Sequence, residues 1–161
     1  MNTQSALGTA LITGASSGIG ATYAERLARR GHDLLLVARD AQRLQTLAKR
    51  LGAEYGVAVE VMPADLTLKA DVLKVEKRLR EDSNVALLVN NAGVAMNGPL
   101  ASADLDQAET MIQLNVVALT RLAAAAAANF SAAGRGGIIN LGSVVALAPE
   151  MFNAVYSATK A

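Results

Sequence analysis

Residues 9–20 read TALITGASSGIG. Their first half, TALIT, is apolar or β-branched and has the length of one buried strand. Glycines at 14, 18 and 20 end that strand and open a helix. Each glycine has a distinct use: Gly14 permits the tight turn, Gly18 lets a pyrophosphate approach bare backbone, and Gly20 lets the helix pack closely on the strand. Ser16, Ser17 and Ile19 complete the loop, whose free N–H groups and helix dipole favour phosphate. The segment lacks the Gly-Lys-Ser/Thr ending of a triphosphatase loop, so the expected ligand is a dinucleotide.

The rest of the chain repeats this alternation. DLLLVAR (33–39), VAVEVMPA (57–64), VALLVNNAG (85–93) and GIINLGS (137–143) are near-continuous apolar runs. Such runs suit parallel strands covered on both faces. Between them lie amphipathic stretches. Leu44, Leu47 and Leu51 form one stripe, and Leu68, Val72, Val75 and Leu79 another. A βαβαβαβαβ order with short links predicts an α/β fold with a doubly wound parallel sheet. Residues 111–132 are apolar nearly all round and are expected to be buried on more than one side. One side should face the sheet. The alanines at 123–128 either form a subunit contact or simply favour helix.

Composition sets limits. The chain has 161 residues, 52% hydrophobic and 18% charged, with a net charge of +1 and no cysteine. Disorder is excluded, and there is no electrostatic footprint for nucleic acid. Disulfides and thiolate metal sites are absent, and the lone His32 makes no metal site. No signal peptide is read at the start. The longest apolar stretch is interrupted by Arg121, so no membrane span is expected. A cytoplasmic location fits this composition.

At the end of the second strand, NAD-binding folds place an acidic residue for the ribose 2′-hydroxyl. Here that place holds Ala38 followed by Arg39, 19 residues after Gly20. A guanidinium there pairs with the 2′-phosphate of NADP, unless it is only a solvated strand-end charge. NADP(H) is therefore expected over NAD(H). Asp40 reads as the N-cap of the next helix.

Taken together, these motifs resemble the short-chain dehydrogenase/reductase family. TGASSGIG (13–20) is similar to its cofactor loop and NNAG (90–93) to its motif after the fourth strand. Asn115 in QLNVVA, Ser143 in NLGSVVA and YSATK (156–160) follow in the family's order, with Ser143 13 residues before Tyr156. The resemblance implies a Rossmann-like fold and hydride transfer between nicotinamide and a carbonyl or secondary alcohol. It implies that Asp65 and Leu66 border the adenine, though Asp65 also reads as a local cap beside Thr67. Asn91, Ala92 and Gly93 would line the ribose. The implied catalytic set is Asn115, Ser143, Tyr156 and Lys160, with Tyr156 and Lys160 also touching cofactor. A family habit of dimers and tetramers implies a homo-oligomer.

Tyr156 and Lys160 share a helix face at i, i+4. A phenol with its ordinary pKa of about 10 is a poor base at neutral pH. An ammonium group beside it favours phenolate. Ser143 would donate to the substrate oxygen, and Asn115 would hold a water on a proton path from Lys160. The family pattern continues beyond this motif with two more strands and a substrate-covering segment. Residues 1–161 are therefore expected to form one dinucleotide-binding domain, incomplete at its C-terminal end. The alternative is a non-catalytic dinucleotide-binding module or an inactive fragment.

Overall fold

The computed structural model describes residues 5–149 and 154–161. Residues 1–4 of the start, over which no signal peptide is read, lie outside the described residues. Five strands, β1 (Thr9–Thr13), β2 (Asp33–Ala38), β3 (Val59–Pro63), β4 (Val85–Asn90) and β5 (Gly137–Asn140), form one parallel sheet in the order β3-β2-β1-β4-β5. Leu11 on the central strand pairs with Leu35 on one side and Leu88 on the other, and all three are fully buried. That burial follows from helices covering both faces, as the unbroken apolar runs require.

Alternation along the strands divides the core in two. Ala10, Ile12, Leu34 and Leu36 face α1 (Gly18–Arg29) and α2 (Ala41–Tyr55), meeting Ala24, Leu27, Leu44 and Leu51. Leu11, Leu35, Val37 and Leu88 face the opposite layer, formed by α3 (Lys69–Glu81) and α5 (Leu119–Ala133). Val72, Val75 and Leu79 are buried as the stripe predicts, but Leu68 is 56% exposed. Leu68 is the N-cap of α3, so its side chain lies outside the helical stripe. Asp40 does cap α2, accepting from the Arg43 N–H at 3.0 Å.

The long helical segment is α4 (Leu105–Ile112), a π-helical turn (Gln113–Ala118) and α5. Its 29 residues make it long and apolar enough to cross a bilayer by length and composition, contrary to the sequence expectation. The same helix packs one face inward through Met111, Ala118, Leu122, Ala125 and Phe130. Within this one chain the opposite side is open: Ile112, Val116, Val117 and Ala124 are exposed, so any second covering must come from outside it. Alanine tolerates either environment, so its run could not report which side was covered.

The chain winds outward from β1 to β3, returns, and winds the other way through β4 and β5. This reversal opens a crevice above the C-terminal ends of β1 and β4, where open α/β sheets bind ligands.

Candidate active site

The glycine loop is fixed from both sides. Gly14 lies in the left-handed region at φ +66°, and a Cβ at Gly20 would stand 2.3 Å from the Gly14 carbonyl oxygen. The first turn of α1 therefore rests directly on the loop backbone. Gly18 also has positive φ, and nothing lies within 4 Å of where its Cβ would be. That clear space leaves the start of α1 open to an anion.

Thr13 and Asn91 tie this loop to the end of β4. Thr13 Oγ1 accepts from the N–H groups of Asn91 and Ala92, both at 3.0 Å. Asn91 Nδ2 donates to the carbonyls of Thr13 (2.9 Å) and Gly14 (3.2 Å). Two loops that no local propensity would hold together are locked by groups that are largely shielded from water.

Above them lies a crevice of about 670 Å³. Gly14, Ser16, Ser17 and Ile19 form its floor with Asn91, Ala92 and Gly93. Arg39 stands at one end, with Asp65 and Leu66 on the wall beyond β3. Leu66 is buried, whereas Ile19 is 61% exposed. Asp65 is held in place: its Oδ1 accepts from the Thr67 N–H (3.0 Å) and hydroxyl (2.7 Å), the local cap read from sequence. Its own N–H donates to Asp71 Oδ2 at 2.9 Å. Lys74 and this N–H together hold the Asp71 carboxyl below the usual carboxylate range.

Tyr156 and Lys160 lie on α6 (Ala154–Lys160), where the four-residue spacing sets them on one face. Lys160 Nζ donates to the Leu141 carbonyl at 3.0 Å, and a methyl group on Gly93 would stand 3.5 Å from it. The ammonium group thus bridges the end of β5 and the crevice rim. Asn115 sits in the π-helical turn and is 2% exposed. Its Oδ1 accepts from the Val94 N–H (3.0 Å), and its Nδ2 donates to the Val94 carbonyl (2.8 Å) and to Thr159 Oγ1 (3.0 Å). Both amide hydrogens are therefore engaged. Thr159 Oγ1 in turn donates to the Tyr156 carbonyl at 2.8 Å. Ser143 caps the short turn Val144–Ala146, which packs on α6, and its Oγ accepts from the Val145 N–H at 3.4 Å.

The geometry is thus a switch-point crevice with a tyrosine–lysine helix at its side. A family model described as short chain dehydrogenase matches residues 8–161. The chain belongs to the short-chain dehydrogenase family. A structure of a short-chain dehydrogenase from Sphingobium yanoikuyae in complex with NADPH is 59% identical, with a TM-score of 0.93 over 95% of this chain and 60% of that one. The bulky-bulky ketone specific alcohol dehydrogenase from Comamonas testosteroni is 51% identical, with a TM-score of 0.92 over 99% of this chain and 63% of the other. An uncharacterized oxidoreductase of Staphylococcus epidermidis is 34% identical over 94% of this chain, and very-long-chain 3-oxoacyl-CoA reductase-A of Danio rerio is 33% identical over the same share. The chain spans 65% and 49% of those two relatives.

For this short-chain dehydrogenase the sequence reading missed three residues. Thr13 stands at the strand end and opens the quoted TGASSGIG loop, but the sequence assigns its hydroxyl no role in tying that loop to β4. Thr159 lies inside the quoted YSATK, yet its partner is 44 positions away. Arg43 lines the crevice beside Arg39. Its i, i+3 spacing from Asp40 was the available signal, since that spacing brings the two side chains together on the first turn of α2.

Proposed function

We propose that the full protein is an NADP(H)-dependent oxidoreductase acting on a carbonyl or secondary alcohol. The observation that carries this is the Lys160 ammonium group, which reaches the crevice rim at Gly93 from the helix that bears Tyr156. Arg39 at the far end of the crevice has no ion-pair partner among the described residues and suits a 2′-phosphate. The NADPH complex of the Sphingobium protein supports the same cofactor.

Nicotinamide, when bound, supplies or takes up the hydride. In the reducing direction the Tyr156 hydroxyl gives its proton to the carbonyl oxygen as that oxygen becomes an alcohol. Ser143 accepts from the Val145 N–H, which leaves its own hydroxyl proton for the same substrate oxygen. Lys160 holds positive charge at the rim, where the ribose would lie. Asn115 has both amide hydrogens engaged, with the Val94 carbonyl and Thr159, while its Oδ1 accepts only from the Val94 N–H and keeps a second acceptor site for a water. The described residues suit a single dinucleotide-binding domain, and the chain spans 60% and 63% of the two solved neighbours it matches. The exposed Ile112 and Val116 offer a face for a second copy, in keeping with a homo-oligomer.

The test is to mix the full protein with NADPH and a panel of ketones and follow reduced-nicotinamide absorbance. Loss of absorbance that depends on ketone is expected. Cofactor binding without oxidation across the panel would favour a non-catalytic binding module.

A further inference from the structure

Ser157 follows Tyr156 on α6 and is 3% exposed. Its hydroxyl donates to the Pro149 carbonyl at 3.0 Å. Three residues on, Lys160 Nζ donates to the Leu141 carbonyl, also at 3.0 Å. Positions i and i+3 lie on one side of a helix. So α6 holds two carbonyls of one loop, the first two residues before Ser143 and the second six residues after it.

The chain between these two holds is stiff. Ser143 opens the short turn Val144–Ala146. The Ala146 N–H donates to the Ser143 carbonyl at 3.1 Å, and those of Leu147 and Ala148 donate to the Val144 carbonyl at 2.9 and 3.0 Å. Val145, inside the turn, is 1% exposed and anchors it in the interior. At the near end the Leu141 N–H donates to the Asn90 carbonyl at 3.0 Å, which ties the loop to β4. A shift at Pro149 is therefore carried to Ser143 rather than absorbed between them, in the way outer hydrogen bonds fix the groups that meet a substrate.

The hydroxyl adds little to stability. Pro149 is exposed, so without Ser157 its carbonyl takes a bond from water and no buried group is left unpaired. Alanine at 157 would also favour helix more than serine does. What the serine supplies is a fixed distance. We infer that Ser157 is a positioning residue: through the Pro149 carbonyl it sets the Ser143 hydroxyl against Tyr156, so that both reach one substrate oxygen. The inference rests on the reading of Ser143 as a donor to that oxygen.

The experiment is single-turnover oxidation of NADPH by the full protein, in excess over cofactor, with an active ketone. Four proteins are compared: the parent, Ser157→Ala, Ser143→Ala and the double variant, the slow ones followed for hours. Ser157→Ala is expected to slow the parent by about fivefold to tenfold, the upper range for one hydrogen bond. In the Ser143→Ala background the same change should alter the rate by no more than about twofold, the error of such a cycle, because no hydroxyl remains to be misplaced. NADPH affinity should stay within about twofold, and Tm should not fall. Equal slowing in both backgrounds would mark a general packing role and overturn the inference, as would a loss of NADPH binding or of Tm in Ser157→Ala. A Ser157→Ala as fast as the parent, beside a slow Ser143→Ala, would overturn it and leave the reading of Ser143 standing. A Ser143→Ala as fast as the parent would remove Ser143 as a donor, and the inference would fail with that reading.

Discussion

Replacing Thr159 with valine changes shape very little and removes one hydroxyl. That hydroxyl accepts from Asn115 Nδ2 at 3.0 Å and donates to the Tyr156 carbonyl at 2.8 Å. Asn115 is 2% exposed, so its freed N–H finds no water. A buried donor left unpaired costs about 1–3 kcal/mol, and the lost bond to the helix carbonyl about 0.5–1 kcal/mol more. A total near 2–3 kcal/mol would lower the docked population of α6 by about 30- to 150-fold if nothing else held it. Two other contacts do hold it: Ser157 Oγ to the Pro149 carbonyl (3.0 Å) and Lys160 Nζ to the Leu141 carbonyl (3.0 Å). The expected outcome is therefore a kcat reduced by about tenfold, which corresponds to about 1.4 kcal/mol. NADPH affinity should stay within about twofold, since Thr159 does not line the crevice and no charge-assisted bond is lost. Thr159→Ser keeps the hydroxyl and should restore most of kcat. Steady-state rates with an active ketone, together with NADPH titration by fluorescence, give both quantities. An unchanged kcat in Thr159→Val, or a Thr159→Ser as impaired as the valine, would refute the reasoning.

Other perturbations probe separate parts of the molecule. Gly20→Ala puts a methyl 2.3 Å from the Gly14 carbonyl oxygen and 2.6 Å from Asn91 Nδ2, so the loop must move. NADPH binding should fall by at least tenfold, measured by titration, a drop of about 1.4 kcal/mol. Arg39→Asp should reverse the preference from NADPH toward NADH, read as the ratio of the two dissociation constants; an unchanged ratio would remove Arg39 from the account. Burial pushes the Asp82 carboxyl up, but the Asn84 N–H and the Arg78 guanidinium outweigh it and hold it below the usual range. A depressed folded pKa stabilises the protein above the unfolded value of about 3.9 and ceases to do so as pH falls through the folded value. Asp82→Asn should therefore lower Tm at neutral pH, with the two proteins converging below about pH 4.

Much of the fold was legible because it depends on burial pattern. The run Leu34–Val37 is apolar at every position because helices cover both of its faces, and this is visible without coordinates. The candidate catalytic residues were legible as a motif order, but what fixes them in place was not. Asn115 and Thr159 meet across 44 positions, and the π-helical turn at Gln113–Ala118 has no composition signal. Leu68 misled because a stripe continues on paper past the residue where the helix begins. The long helix was legible only in part: alanines at 123–128 carry no polarity, so exposure at Ala124 and burial at Ala125 and Ala126 read alike.

Proton transfer by Tyr156 is tested most directly by a single-turnover measurement on the full protein. Tyr156→Phe removes only the phenolic oxygen. With enzyme in excess over NADPH and an active ketone present, its cofactor should bind as in the parent while oxidation slows by at least a hundredfold, a loss typical of removing a positioned general acid. Oxidation at the parent rate would mean that another group delivers the proton, and Tyr156 and Lys160 would lose their place at the centre of the chemistry.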